Sequence, residues 1–241
     1  MRNHSRSSNG RIRQLGLAAL LATGLASQAQ TPLVTGHTDV GLAYDELANE
    51  WELHVHHEPS DTEYVPPNTA LLFVKYEARG FVPVGAQWSF LGTAGSEVWT
   101  LPKVENPELL FLGFGAEEID PGVFTGDSLS LSLRGVSGPG HLAIYDTDAF
   151  GDPEVWMNSR DGFTGADTRV VPVGLHQELN WAFSAPGDYS VLFEASGISA
   201  LNGATTSGSV EYLFHVQPVP EPGVLALFGI GAAALAFLRR R

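Results

Sequence analysis

Three short segments set histidine beside carboxylate: Gly36-His37-Thr38-Asp39, His54-Val55-His56-His57-Glu58 and His176-Gln177-Glu178. Each holds two potential ligands two positions apart. Successive strand residues point to opposite faces, so side chains at i and i+2 rise in parallel. His54 and His56 therefore share a face opposite Trp51, Leu53 and Val55, with Glu52 and Glu58 beside them. His176 and Glu178 share a face if their segment is extended. Imidazole and carboxylate suit zinc, manganese or iron better than calcium. The expectation is that His37, His54, His56 and His176, together with Asp39 or Glu178, converge on one divalent ion, zinc or manganese. Binding should weaken below about pH 6, where imidazoles with pKa near 6.5 take up protons. The competing reading is that these are exposed polar faces of edge strands, with no ligand.

Other chemistry is sparse. Asp146-Thr147-Asp148 with Gly151-Asp152 begins like a calcium loop, but Phe150 and Met157 stand where ligands are required, so the segment reads as a turn. There is no G-x-S-x-G, no H-E-x-x-H and no glycine-rich phosphate loop. With no cysteine, thiol catalysis and thiolate metal sites are excluded. A secreted hydrolase would rest on the histidines alone; the expectation is a protein that is not an enzyme.

The elements that must position these residues read as strands. Leu129, Leu131 and Leu133 alternate with Ser128, Ser130 and Ser132, which is the period of a half-buried strand. Tyr189, Val191, Phe193 and Ala195 repeat the pattern, as do Val210, Tyr212, Phe214 and Val216. Further strands are expected within 51–57, 69–77, 109–114, 141–145 and 180–184, separated by turns such as Gly138-Pro139-Gly140 and Pro186-Gly187-Asp188. No long helical period and no internal repeat is present. Many short strands with frequent turns predict an all-β fold, an immunoglobulin-like antiparallel β-sandwich of two sheets. Tyr189, opening a strand after the 186–188 turn, could return its hydroxyl to an upstream backbone group, as a tyrosine corner does.

The two ends read differently from the body. Arg2, Arg6, Arg11 and Arg13 precede an apolar run from Leu15 to Leu25, and Ser27-Gln28-Ala29 supplies small residues for a signal peptidase. Residues 1–29 are expected to be a signal peptide cut between Ala29 and Gln30, the run being short of the roughly 20 residues of a membrane span. At the other end, Pro220-Glu221-Pro222-Gly223 leads into an apolar run from Val224 to Leu238 and three arginines. The prolines bar an earlier helix start, the run can enter a bilayer, and the arginines stay on the cytoplasmic side. This tail, 218–241, resembles the PEP-CTERM sorting signal of Gram-negative bacteria. The resemblance implies a C-terminal sorting helix, transient membrane insertion and trimming by an exosortase-type enzyme. A permanent anchor is the competing reading, for which the run is short. The protein is thus expected to be exported, tethered to the membrane before processing, and then to reside in the cell envelope or outside the cell.

Between the signals lies one domain, 30–217. It holds all but one of the 27 acidic residues and only six of the 13 basic ones, a formal charge near −20. Such a surface repels nucleic acid and anionic lipid. Envelope or matrix components are the expected partners. Five Trp and 13 Phe give the domain the means to build an apolar core without disulfides.

The histidine segments also resemble a surface-anchored domain family, choice-of-anchor M, related to an actinobacterial surface-anchored repeat. Residues 36–41 look like its opening G-H-x-D box, 51–56 like its first long strand and 149–153 like its central turn. Residues 176–189 (H-Q-E-L-N-W-A-F-S-A-P-G-D-Y) look like its closing H-x-H-x-N-W-x-F…P-G-x-Y box. One position departs: Glu178 stands where the family has a second histidine, and a carboxylate can still ligate. Some actinobacterial relatives look associated with metal-uptake transporters; no activity follows from the family. The first expectation is therefore a non-enzymatic surface protein that binds a transition metal. The second is a structural or adhesive envelope module without ligand.

Overall fold

The computed structural model describes residues 30–220. The signal segment through Ala29 lies outside the described residues, as do Glu221, Pro222 and the apolar, arginine-ended tail. In chain order the strands are β1 (Thr31–Leu33), β2 (Gly36–Asp45), β3 (Glu50–His57), β4 (Thr62–Tyr64) and β5 (Ala70–Val74). Then come β6 (Arg79–Phe81), β7 (Glu97–Leu101), β8 (Leu110–Gly115), β9 (Ser128–Ser137), β10 (Leu142–Thr147) and β11 (Pro153–Asn158). β12 (Thr168–Pro172), β13 (His176–Glu178), β14 (Asn180–Phe183), β15 (Gly187–Ile198) and β16 (Thr205–Val216) complete the set. Among the described residues the only helical turns are short 3-10 segments, and no helix is long and apolar enough to cross a membrane.

The chain forms an all-β sandwich, with two differences from the expected plan. It has three sheets, ordered β1-β5-β16-β15-β9-β12, β11-β10-β14-β7-β6 and β13-β8-β2-β3-β4. Three of its pairings, β1 with β5, β5 with β16 and β2 with β8, are parallel. Parallel neighbours need a long crossover between them. For β2 and β8 that crossover contains β5, β6 and β7, which serve the other two sheets.

Alternation decides which faces are buried. Leu129, Leu131 and Leu133 of β9 point inward, and β15 pairs with β16 in continuous register from Gly187↔Val216 to Ile198↔Thr205. Trp181 sits at the centre of the core, with ring centroids 5.0 Å from Phe114, 5.9 Å from Phe193 and 5.9 Å from Phe214. Its indole N–H donates to the carbonyl of Leu112 at 3.0 Å, tying β14 to the back of β8. Tyr189 makes the expected corner: its hydroxyl donates to Ala185 O at 2.7 Å, and burial pushes its pKa up to about 12.

The segment 176–183 belongs to two sheets. β13 pairs with β8 in one sheet, fully buried Leu179 makes the crossing, and β14 enters another. The core anchor at Trp181 therefore fixes where His176 and Glu178 stand.

Candidate metal centre

The β13-β8-β2-β3-β4 sheet buries Thr38, Val40 and Leu42 of β2 and Leu110, Leu112 and Phe114 of β8 on one face. Alternation then turns His37, Asp39 and Gly41, with Phe111, Gly113 and Gly115, to the other. The register sets Asp39 opposite Gly113 and Gly41 opposite Gly115. On the far side of β8, Glu178 is opposite Gly113 and His176 opposite Gly115. Strands two apart are about 9–10 Å from one another, normally separated by the side chains between them. Here the intervening positions are glycines. A Cβ on Gly113 would stand 2.7 Å from Asp39 Oδ1 and 2.9 Å from Gln177 O. The two strands reach across this bare strip.

They meet above it. His37 Nε2 and His176 Nε2 are 3.1 Å apart, with parallel rings. His37 Nε2 is 2.6 Å from Glu178 Oε1 and 3.5 Å from Asp39 Oδ2. His176 Nε2 is 3.2 Å from Glu178 Oε1 and 3.4 Å from Asp39 Oδ1. A tetrahedron of ligands about 2.0–2.1 Å from a zinc ion has edges of about 3.3–3.4 Å. Five separations of 2.6–3.5 Å lie close to that figure, and a ligand atom from each of the four residues lies within 4.8 Å of the others.

Each ring also has a carboxylate on its outer side. His37 Nδ1 donates to Glu58 Oε2 at 2.8 Å, and His176 Nδ1 faces Glu117 Oε1 at 3.3 Å. A carboxylate only accepts, so with the Nδ1 proton turned to the outer partner a neutral ring would present its Nε2 lone pair to the cluster, as a bound cation requires. Two lone pairs and two carboxylates would then face one point. Asp39 Oδ1 is buried without a hydrogen-bond partner. Burial raises the Asp39 pKa above the usual carboxylate value, although His176 and His37 oppose the shift. Burial also lowers the basicity of His37, but its bond to Glu58 and the charges of Asp39, Glu58 and Glu178 outweigh that, leaving its pKa above 6.5. Both shifts favour retaining a proton at the cluster, where a cation would otherwise sit.

The residues expected from the sequence to converge on one ion fall into separate groups among the described residues. His54 and His56 do share the outer face, but they lie on β3, separated from β13 by both β2 and β8. His54 Nε2 is directed to Glu118, and half-buried His56, opposite Asp39 and Glu63, belongs to neither ligand cluster. Alternation assigned the face correctly; strand order separated the residues. Glu117, Glu118 and the glycine strip were not anticipated. Gly113-Phe114-Gly115 carries the signal for the strip: glycines at i and i+2 leave one strand face without side chains.

Of the signal-cleavage residues, Gln30 is described, its side-chain amide donating to Pro67 O at 2.7 Å; of the sorting motif, Pro220 is described and exposed. Residues 218–241 match the PEP-CTERM protein-sorting motif. The motif implies export, cell-surface association and processing by exosortase-type sorting machinery. No curated protein and no solved structure matches the chain. The comparisons do not support the resemblance of residues 30–217 to the choice-of-anchor M domains.

Proposed function

We propose that the mature domain is a non-enzymatic surface or extracellular module that binds a divalent transition metal through His37, Asp39, His176 and Glu178. The observation that carries this reading is the meeting of four ligand atoms, one of them from Asp39, whose buried Oδ1 has no hydrogen-bond partner. Nitrogen and oxygen donors in equal number suit zinc or manganese. Glu58 and Glu117 would orient the two imidazoles and raise their basicity toward the ion. The site is anchored from beneath by the core, through Leu179 and Trp181. Removal of the signal peptide by signal peptidase and trimming of the C-terminal helix would release the domain to the envelope or matrix.

Metal content tests the reading. The purified protein, dialysed against zinc and then against metal-free buffer, should retain one zinc that resists exchange, measured by elemental analysis. His37→Ala and His176→Ala should each lose it. Equal zinc in all three proteins would refute the assignment. No retained zinc in any would leave a structural or adhesive module.

A further inference from the structure

A second group of ligating atoms stands on the same sheet face, on the other side of Asp39. His54, Glu63 and Glu118 each bring one atom to within 4.8 Å of the others. They line an open cleft of about 360 Å³ whose walls also include Asp39, His56, Asp61 and Glu117. Its floor is again glycine: Gly41 is paired with His54, and a Cβ there would clash with the His54 imidazole at Nε2.

His54 makes this more than an acidic patch. Its side chain is 8% exposed. Nδ1 lies 3.2 Å from the carbonyl of Glu52, which can only accept, so Nδ1 holds the proton and Nε2 offers a lone pair to the cleft. That nitrogen is buried and has no hydrogen-bond partner. Glu118 Oε1 stands 2.9 Å from it. Two acceptors at that distance, in poor geometry for a shared proton, are a pair that a cation would join. Buried polar atoms are otherwise rarely left unpaired.

We propose that His54, Glu63 and Glu118 form a second divalent-cation site, separate from the four-residue centre. With one nitrogen and two carboxylates, it suits a harder ion such as manganese, whose remaining positions would take water from the cleft. The site stands on its own geometry. Its link to the first centre is the loop after β8, where Glu117 turns to His176 and the next residue, Glu118, turns to His54.

The test is a manganese titration of the full chain, stripped with chelator and held in detergent, followed by electron paramagnetic resonance of the free aqueous ion. The wild type should bind two equivalents of Mn²⁺. His54→Ala and Glu118→Gln should each bind one, while His37→Ala should keep the equivalent that His54→Ala loses. Glu118 is half exposed, so Glu118→Gln decides the matter if His54→Ala fails to fold. One equivalent in the wild type, untouched by either substitution, overturns the second site and leaves the first. One equivalent lost in His54→Ala but kept in His37→Ala supports the second site and removes the first. No bound manganese in any protein overturns this proposal, while retained zinc would still separate it from the fate of the first site.

Discussion

Replacing Asp39 by Asn should have opposite effects on the metal-free and metal-loaded protein. Asn keeps the shape and removes the charge. In the metal-free protein, the raised pKa of Asp39 means that the ionised carboxylate costs stability once the pH rises above the unfolded value of about 3.9. An Asn amide can donate to the His37 or His176 nitrogens that stand 3.5 and 3.4 Å from the Asp39 oxygens. Satisfying a buried polar group is worth about 1 kcal/mol. For a domain of this size that raises Tm by about 2–4 °C. With zinc the order reverses. Zinc at a hundredfold its Kd stabilises the wild type by about 2.7 kcal/mol, or about 5–11 °C. Asp39→Asn, lacking the anionic ligand, should gain little. The assay is thermal unfolding at pH 7.5, with chelator and with zinc. A metal-free Asp39→Asn protein several degrees below wild type, or one that keeps the full zinc shift, would refute the reasoning.

Three further outcomes are expected. Trp181→Ala removes the core centre and its bond to Leu112, a loss of about 3–5 kcal/mol, so circular dichroism should show a lowered or absent cooperative transition. Because the His37 pKa lies above 6.5, protons should already compete with zinc near neutrality, and titrations at stepped pH should show affinity falling from there rather than only below about pH 6. In metal-free protein the sign reverses for stability: the His37 contribution is fully present below its unfolded pKa and is lost as the pH rises through the folded value. Intact-mass analysis of protein released by the native host should give a chain starting at or near Gln30 and lacking residues 224–241; a retained arginine tail would contradict sortase-type trimming.

The strands and the outward faces of the ligands were legible because both depend on local alternation. His37 with Asp39, and His176 with Glu178, needed only the two-residue period. The meeting of the two pairs was expected from their residue types, but the geometry that brings it about was not legible. It depends on β8 lying between strands that are distant in sequence, and on Gly113 and Gly115 leaving the gap open. His54 and His56 were grouped with the wrong partners for the same reason: periodicity gives a face, not the order of strands across it. The third sheet and the parallel pairs were equally hidden, being set by long-range pairing. The Tyr189 corner was readable because its acceptor, Ala185, lies only four residues upstream across the turn, and Trp181 because a tryptophan on the strand leading into that turn marks a core position.

The most direct test of the central claim is the zinc K-edge absorption spectrum of protein loaded with one equivalent of zinc. Two imidazole nitrogens and two carboxylate oxygens should appear at about 2.0–2.2 Å, with the imidazole scattering reduced in His37→Ala and in His176→Ala. A first shell of oxygens alone, or imidazole scattering unchanged in both variants, would contradict it.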